Sequence, residues 1–86
     1  MNKINQLEKL RKEIDNINRD LVKIIAKRFR ITDKVKKLKI KNYLPAEDKD
    51  RELKIMYSAE NLANKLKINP QLVKDVLRRI IEEAKK

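Results

Sequence analysis

The sequence predicts an all-α protein of three helices per chain, one very long and two shorter. Glycine is absent and proline occurs twice among 86 residues, which leaves too few turn formers for a β-sandwich or barrel. One Phe and two Tyr are the only aromatic residues, so the side chains that favour strands are scarce. Apolar residues recur in steps of three and four, the period of an amphipathic helix. The chain is too short for two independent cores, and residues 1–86 are expected to form a single helical domain.

The first helix is the clearest. Leu7, Leu10, Ile14, Ile17, Leu21, Ile24, Ile31, Val35 and Leu38 form a heptad seam with Leu7 at position a. No Pro or Gly interrupts Asn2 to Asn42, so one helix of about 38 residues is expected, about 57 Å long. Asn42-Tyr43-Leu44-Pro45 is the first break. The second helix is expected to begin near Ala46 or Glu47, just after Pro45, with Glu47, Asp48 and Asp50 supplying negative charge at its N-terminus. Its apolar stripe is read as Leu53, Met56, Ala59, Leu62, Ala63 and Leu66. Asn69-Pro70 then reads as an N-cap followed by proline at the first helical position. The third helix carries Leu72, Val73, Val76, Leu77, Ile80, Ile81 and Ala84.

The two shorter helices, about 20 and 16 residues, cannot cover a seam nearly twice as long as either. An exposed apolar stripe of that length marks an interface, and a two-fold homodimer with the long helix packed on its own copy is the simplest closure.

Composition excludes several chemistries. Neither Cys nor His is present, so a disulfide, a zinc site, a thiol nucleophile and an imidazole base are all ruled out, and no cofactor or metal is expected. No apolar run approaches the roughly 18 residues that span a bilayer, and the N-terminal segment has no signal-peptide core. A soluble cytoplasmic protein without membrane partners is expected. The 24 Lys and Arg against 13 Asp and Glu give a net charge of +11, which suits an anionic partner.

Among the basic residues, Arg28 is the anomaly, because it occupies an a slot where the seam demands an apolar side chain. A guanidinium there must be paired or must line a wet cavity, since burying it alone costs several kcal/mol. It could serve as a structural ion pair, set coiled-coil register, or bind an anion. Arg11 and Lys39 both fall at e, flanking the seam. Arg28 and Lys39 are separated by about 16 Å along the axis, close enough to grip opposite ends of one small anion, whereas Arg11 lies about 25 Å from Arg28. An antiparallel two-fold axis near residue 19 or 20 would bring Arg11 of one chain beside Arg28 of the other. On the second helix Asp48, Arg51 and Glu52 fall at i, i+3 and i+4, on one face of the first turns. They form either a solvated ion-pair cluster or part of a site.

These residues, in this order, resemble the all-helical chorismate mutases, the AroQ class. Leu10-Arg11-Lys12-Glu13-Ile14-Asp15-Asn16-Ile17-Asn18 is similar to the family's L-R-x-x-I-D-x-I-D, with Asn18 replacing the last Asp. Ile24-Ile25-Ala26-Lys27-Arg28 resembles L-L-x-x-R, Val35 to Lys39 resembles V-x-x-x-K, and Asp48-Lys49-Asp50-Arg51-Glu52 resembles D-x-x-R-E. The resemblance covers nearly the whole chain. It implies an intertwined antiparallel homodimer of three-helix chains, with two active sites shared between protomers, and the Claisen rearrangement of chorismate to prephenate on the way to phenylalanine and tyrosine. Residue by residue it implies that Arg28, and Arg11 from the other protomer, bind the substrate carboxylates with Arg51 in the same cationic wall. Lys39 would contact the ether oxygen, Glu52 the ring hydroxyl, and Asp48 the same hydroxyl through its backbone. Lys39, Glu52 and Arg28 would be the catalytic residues.

Two departures from the family pattern fall in the third helix. Ala84 stands where many members carry a polar residue such as Ser, and the Gln or Glu expected one turn later lies beyond Lys86. Lys85, about 100° around the helix from Ala84, is given little weight as a replacement. The resemblance leaves open an isochorismate pyruvate lyase and a relative with weakened catalysis. A basic helical dimer binding nucleic acid is the other alternative, disfavoured because positive charge is spread over all three helices and mixed with acids. No nucleic-acid partner is therefore expected, nor a separate effector domain.

Overall fold

The computed structural model describes residues 2–86, which form α1 (Lys3–Lys41), α2 (Lys49–Lys65) and α3 (Pro70–Ala84), with no strand among the described residues. The chain divides into one unit ending at Ile31 and a second spanning Thr32–Lys86. The first unit is the N-terminal stretch of α1 alone. Its seam residues Leu7, Leu10, Ile14, Ile17, Leu21 and Ile24 are all exposed, and no residue of α1 is buried.

The second unit contains the end of α1 together with α2 and α3. Here α2 and α3 pack antiparallel: Glu60 pairs with Lys74 at 3.6 Å and Glu52 with Lys85 at 2.7 Å, so positions along one helix rise as those along the other fall. The seam closes on two small residues, Ala59 and Ala63, 8% and 1% exposed.

Helix ends explain where the sequence reading was displaced. Helix α2 starts at Lys49 rather than near Ala46 or Glu47. Asp48 acts as its N-cap, with Oδ1 accepting a hydrogen bond from the Arg51 backbone N–H at 3.0 Å. An Asp side chain can satisfy an orphan amide and Pro45 cannot, so the cap sets the boundary. At 17 residues α2 is accordingly shorter than the length of about 20 expected, whereas α3, at 15, has close to its expected length. Asn69 caps α3 as anticipated, accepting from the Gln71 N–H at 2.9 Å with Pro70 at the first turn.

Helices α1 and α2 end in the same motif. The Leu44 N–H donates to the Lys39 carbonyl at 2.8 Å and the Tyr43 N–H to that of Ile40 at 3.2 Å; Ile68 to Ala63 and Lys67 to Asn64 repeat the pattern. These are Schellman closures, in which one residue turns left-handed. With no glycine to fill it, the position falls to Tyr43 (φ 56°) and Lys67 (φ 58°), each at a cost of about 1–2 kcal/mol.

The apolar stripe of α2 also differs from the expected one. Counting about 100° per residue, Glu52, Ile55, Met56, Ala59 and Ala63 share a face with Glu60 at its edge, and these are the buried or half-buried positions of α2. Leu53 and Leu62, assigned to that stripe from spacing, lie on other faces and stay exposed, as does the C-cap Leu66.

Candidate active site

Five of the seven sequence-designated residues belong to the second unit. Lys39, half-buried near the end of α1, donates from Nζ to the Ala46 carbonyl at 3.3 Å. That contact anchors the ammonium to the α1–α2 connection and leaves two of its three N–H groups for other acceptors. The next residue along the connection, Glu47, accepts from Lys85 Nζ through Oε1 at 3.4 Å. The same ammonium lies 2.7 Å from Glu52 Oε1. The α1–α2 connection, the first turn of α2 and the end of α3 are thus tied by two lysines.

Asp48, Arg51 and Glu52 do not form an ion-pair cluster of their own. Asp48 stands outside the helix (φ −134°, ψ 88°) and its carboxylate is committed to the Arg51 backbone N–H. That contact engages Oδ1 and fixes the carboxylate at the helix start. The Arg51 side chain is exposed on the first turn of α2. Glu52 faces α3 because it lies two turns before Ala59 on the packed stripe, and there it meets Lys85. Ala84, half-buried, is the last residue of α3 and supplies no donor.

Arg11 and Arg28 belong to the first unit. Arg11 is exposed, and Arg28 is half-buried at its seam slot.

Lys85 and Glu47 were the residues that spacing undervalued. Judged by azimuth, Lys85 points away from Ala84. As the C-cap of α3, however, it sits where the helix ends, and its long stem reaches the carboxylates of Glu52 and Glu47. The Glu52 carboxylate, hydrogen-bonded to it, holds the Lys85 ammonium above its ordinary pKa of 10.5 against the opposing pull of desolvation, and Glu47 adds to the effect.

The family model described as Chorismate mutase type II matches residues 10–86. The chain belongs to this family. It is 36% identical over 78 residues to a T-protein of Haemophilus influenzae, and 33% identical over 79 residues to a T-protein of Enterobacter agglomerans. It is also 34% identical over 80 residues to a bifunctional chorismate mutase/prephenate dehydratase of Buchnera aphidicola subsp. Schizaphis graminum. These alignments take in 91–93% of the chain and 21% of each relative, so the chain spans about a fifth of the length of the curated relatives it matches. The matched segment contains Arg11, Arg28, Lys39, Asp48, Arg51, Glu52 and Ala84. No helix among the described residues is long and apolar enough to cross a membrane.

Proposed function

We propose that this chain is a chorismate mutase acting in phenylalanine and tyrosine biosynthesis, converting chorismate to prephenate without cofactor or metal. The observation that carries the reading is the family match across residues 10–86, a span that contains Arg11, Arg28, Lys39, Asp48, Arg51 and Glu52. In the reaction the ether C–O bond breaks as a new C–C bond forms, with no proton or electron entering or leaving. Catalysis then consists of holding the folded conformer and stabilising charge as it grows on the ether oxygen. Lys39 suits the second of these roles, because its ammonium is fixed by the Ala46 carbonyl and keeps N–H groups to donate. Its interaction strengthens as the oxygen becomes negative, the kind of contact that raises kcat.

Arg28 and Arg11 of the partner subunit bind the substrate carboxylates with Arg51 in the same cationic wall, Glu52 accepts from the ring hydroxyl, Asp48 contributes through its backbone, and Ala84 lines the site. Residues 1–86 serve as one helical domain in an intertwined antiparallel homodimer. The exposed seam of α1 supports this arrangement, since a helix with an uncovered apolar stripe is marginal alone in water. A net charge of +11 also draws a dianion toward the protein, an effect that added salt weakens.

The test is to incubate the purified protein with chorismate and follow loss of the diene absorbance. Turnover is expected, and Lys39→Ala should lower kcat by roughly 10²–10³. No rate above background at high protein concentration would end the mutase reading, and unchanged kcat in Lys39→Ala would remove that residue from its role.

A further inference from the structure

Lys85 lies outside the set of residues that the mutase reading uses, yet it makes a close ion pair, 2.7 Å from Nζ to Glu52 Oε1. It engages Oε1, which leaves Oε2 for other donors, and the same ammonium bridges to Glu47 Oε1 at 3.4 Å. Glu52 is the better covered of the two carboxylates, 33% against 58% exposed in its side chain. A Glu side chain has three rotatable bonds, and an acceptor that must meet one substrate hydroxyl works only from a narrow range of them. Helix packing fixes where Glu52 begins, because it lies on the α2 face turned to α3, and packing does not fix where its carboxylate ends.

We propose that Lys85 is a positioning residue for Glu52: by holding Oε1 from the C-terminus of α3 and anchoring itself on Glu47, it presents Oε2 to the substrate's ring hydroxyl. The proposal rests on the mutase reading and adds a residue to it. The pair is solvent-accessible, so its contribution to folding is small, and its effect belongs in turnover rather than in stability.

A double-mutant cycle separates the possibilities, with chorismate as the probe and kcat/KM, pH profile and Tm read for each protein. Lys85→Met should lower kcat/KM by about ten- to a hundred-fold with little change in Tm. Lys85→Arg, which keeps a cation within reach of the carboxylate, should restore most of the loss. In a Glu52→Gln background Lys85→Met should have little further effect, because the group it positions is gone. Lys86→Ala, whose ammonium pairs with Glu83 instead, should match wild type. Wild-type kcat/KM in Lys85→Met, or full additivity of the Lys85 and Glu52 substitutions, would overturn the positioning role while leaving the mutase reading intact. Absence of turnover in the wild-type protein would remove both together.

Discussion

In the α2–α3 pair, Ala59 and Ala63 are 8% and 1% exposed, whereas the nine apolar seam residues of α1 from Leu7 to Leu38 remain 44–63% exposed. The same heptad arithmetic lies behind both regions, and the outcome depends on what faces the stripe. Small residues let α2 and α3 approach closely and satisfy each other within one chain. The seam of α1 consists of Leu, Ile and Val, side chains that gain about 1.5–3 kcal/mol each when fully covered, and it has more of them than a single chain buries. One region is therefore packed within the chain, and the other leaves an apolar stripe uncovered.

A charge placed on the α1 seam separates these two conditions most sharply. Leu21→Asp should destabilise the protein by several kcal/mol and shift it toward monomer in sedimentation velocity, because the carboxylate would be buried against the second copy. If α1 needs no partner, the same substitution at a half-exposed site should change stability by no more than about 0.5 kcal/mol. Overpacking tests the packed region. Ala63→Leu should cost about 1–3 kcal/mol by thermal unfolding, and a neutral result would mean that the α2–α3 approach is looser than Ala63's burial indicates.

Helix ends give the next effect, of opposite sign. Lys67→Gly should stabilise the α2–α3 hairpin by about 1 kcal/mol, since glycine adopts the left-handed position at φ 58° without strain. Tyr43→Gly should do the same at the end of α1. The smallest effect is electrostatic. Hydrogen bonds from Arg79 and then Lys86 hold the Glu83 carboxyl below its ordinary 4.5. A carboxylate with a depressed folded pKa stabilises above the unfolded value and loses that contribution as pH falls through the folded one. Arg79→Ala should therefore cost stability at neutral pH, with the difference from wild type vanishing in acid below 4.5.

The long helix was legible in the sequence because an uninterrupted period without Gly or Pro admits little else, and its ends moved by only one residue at each side. The start of α2 was less so. Pro45 and Asp48 both signal helix initiation, and only the hydrogen bond from Arg51 N–H to Asp48 shows which prevails. The α2 stripe was blurred because Leu53 and Leu62 are as apolar as Ile55, and spacing alone could not say which face α3 would take. Arg28 stood out because a cation interrupts an apolar series. Lys85 did not, since its significance depends on carboxylates 33 and 38 positions away in sequence, a proximity created only when α3 folds back along α2.

The sharing of the site between two chains can be measured directly by mixing inactive Arg11→Ala with inactive Arg28→Ala protein under conditions that exchange subunits. If two copies of α1 lie antiparallel and each supplies its Arg11 to the other's Arg28, one site in each mixed dimer regains both arginines. Activity should then return to about a quarter of the wild-type level at equal mixing. Confirmed subunit exchange with no recovery of chorismate turnover would contradict a site built from two chains.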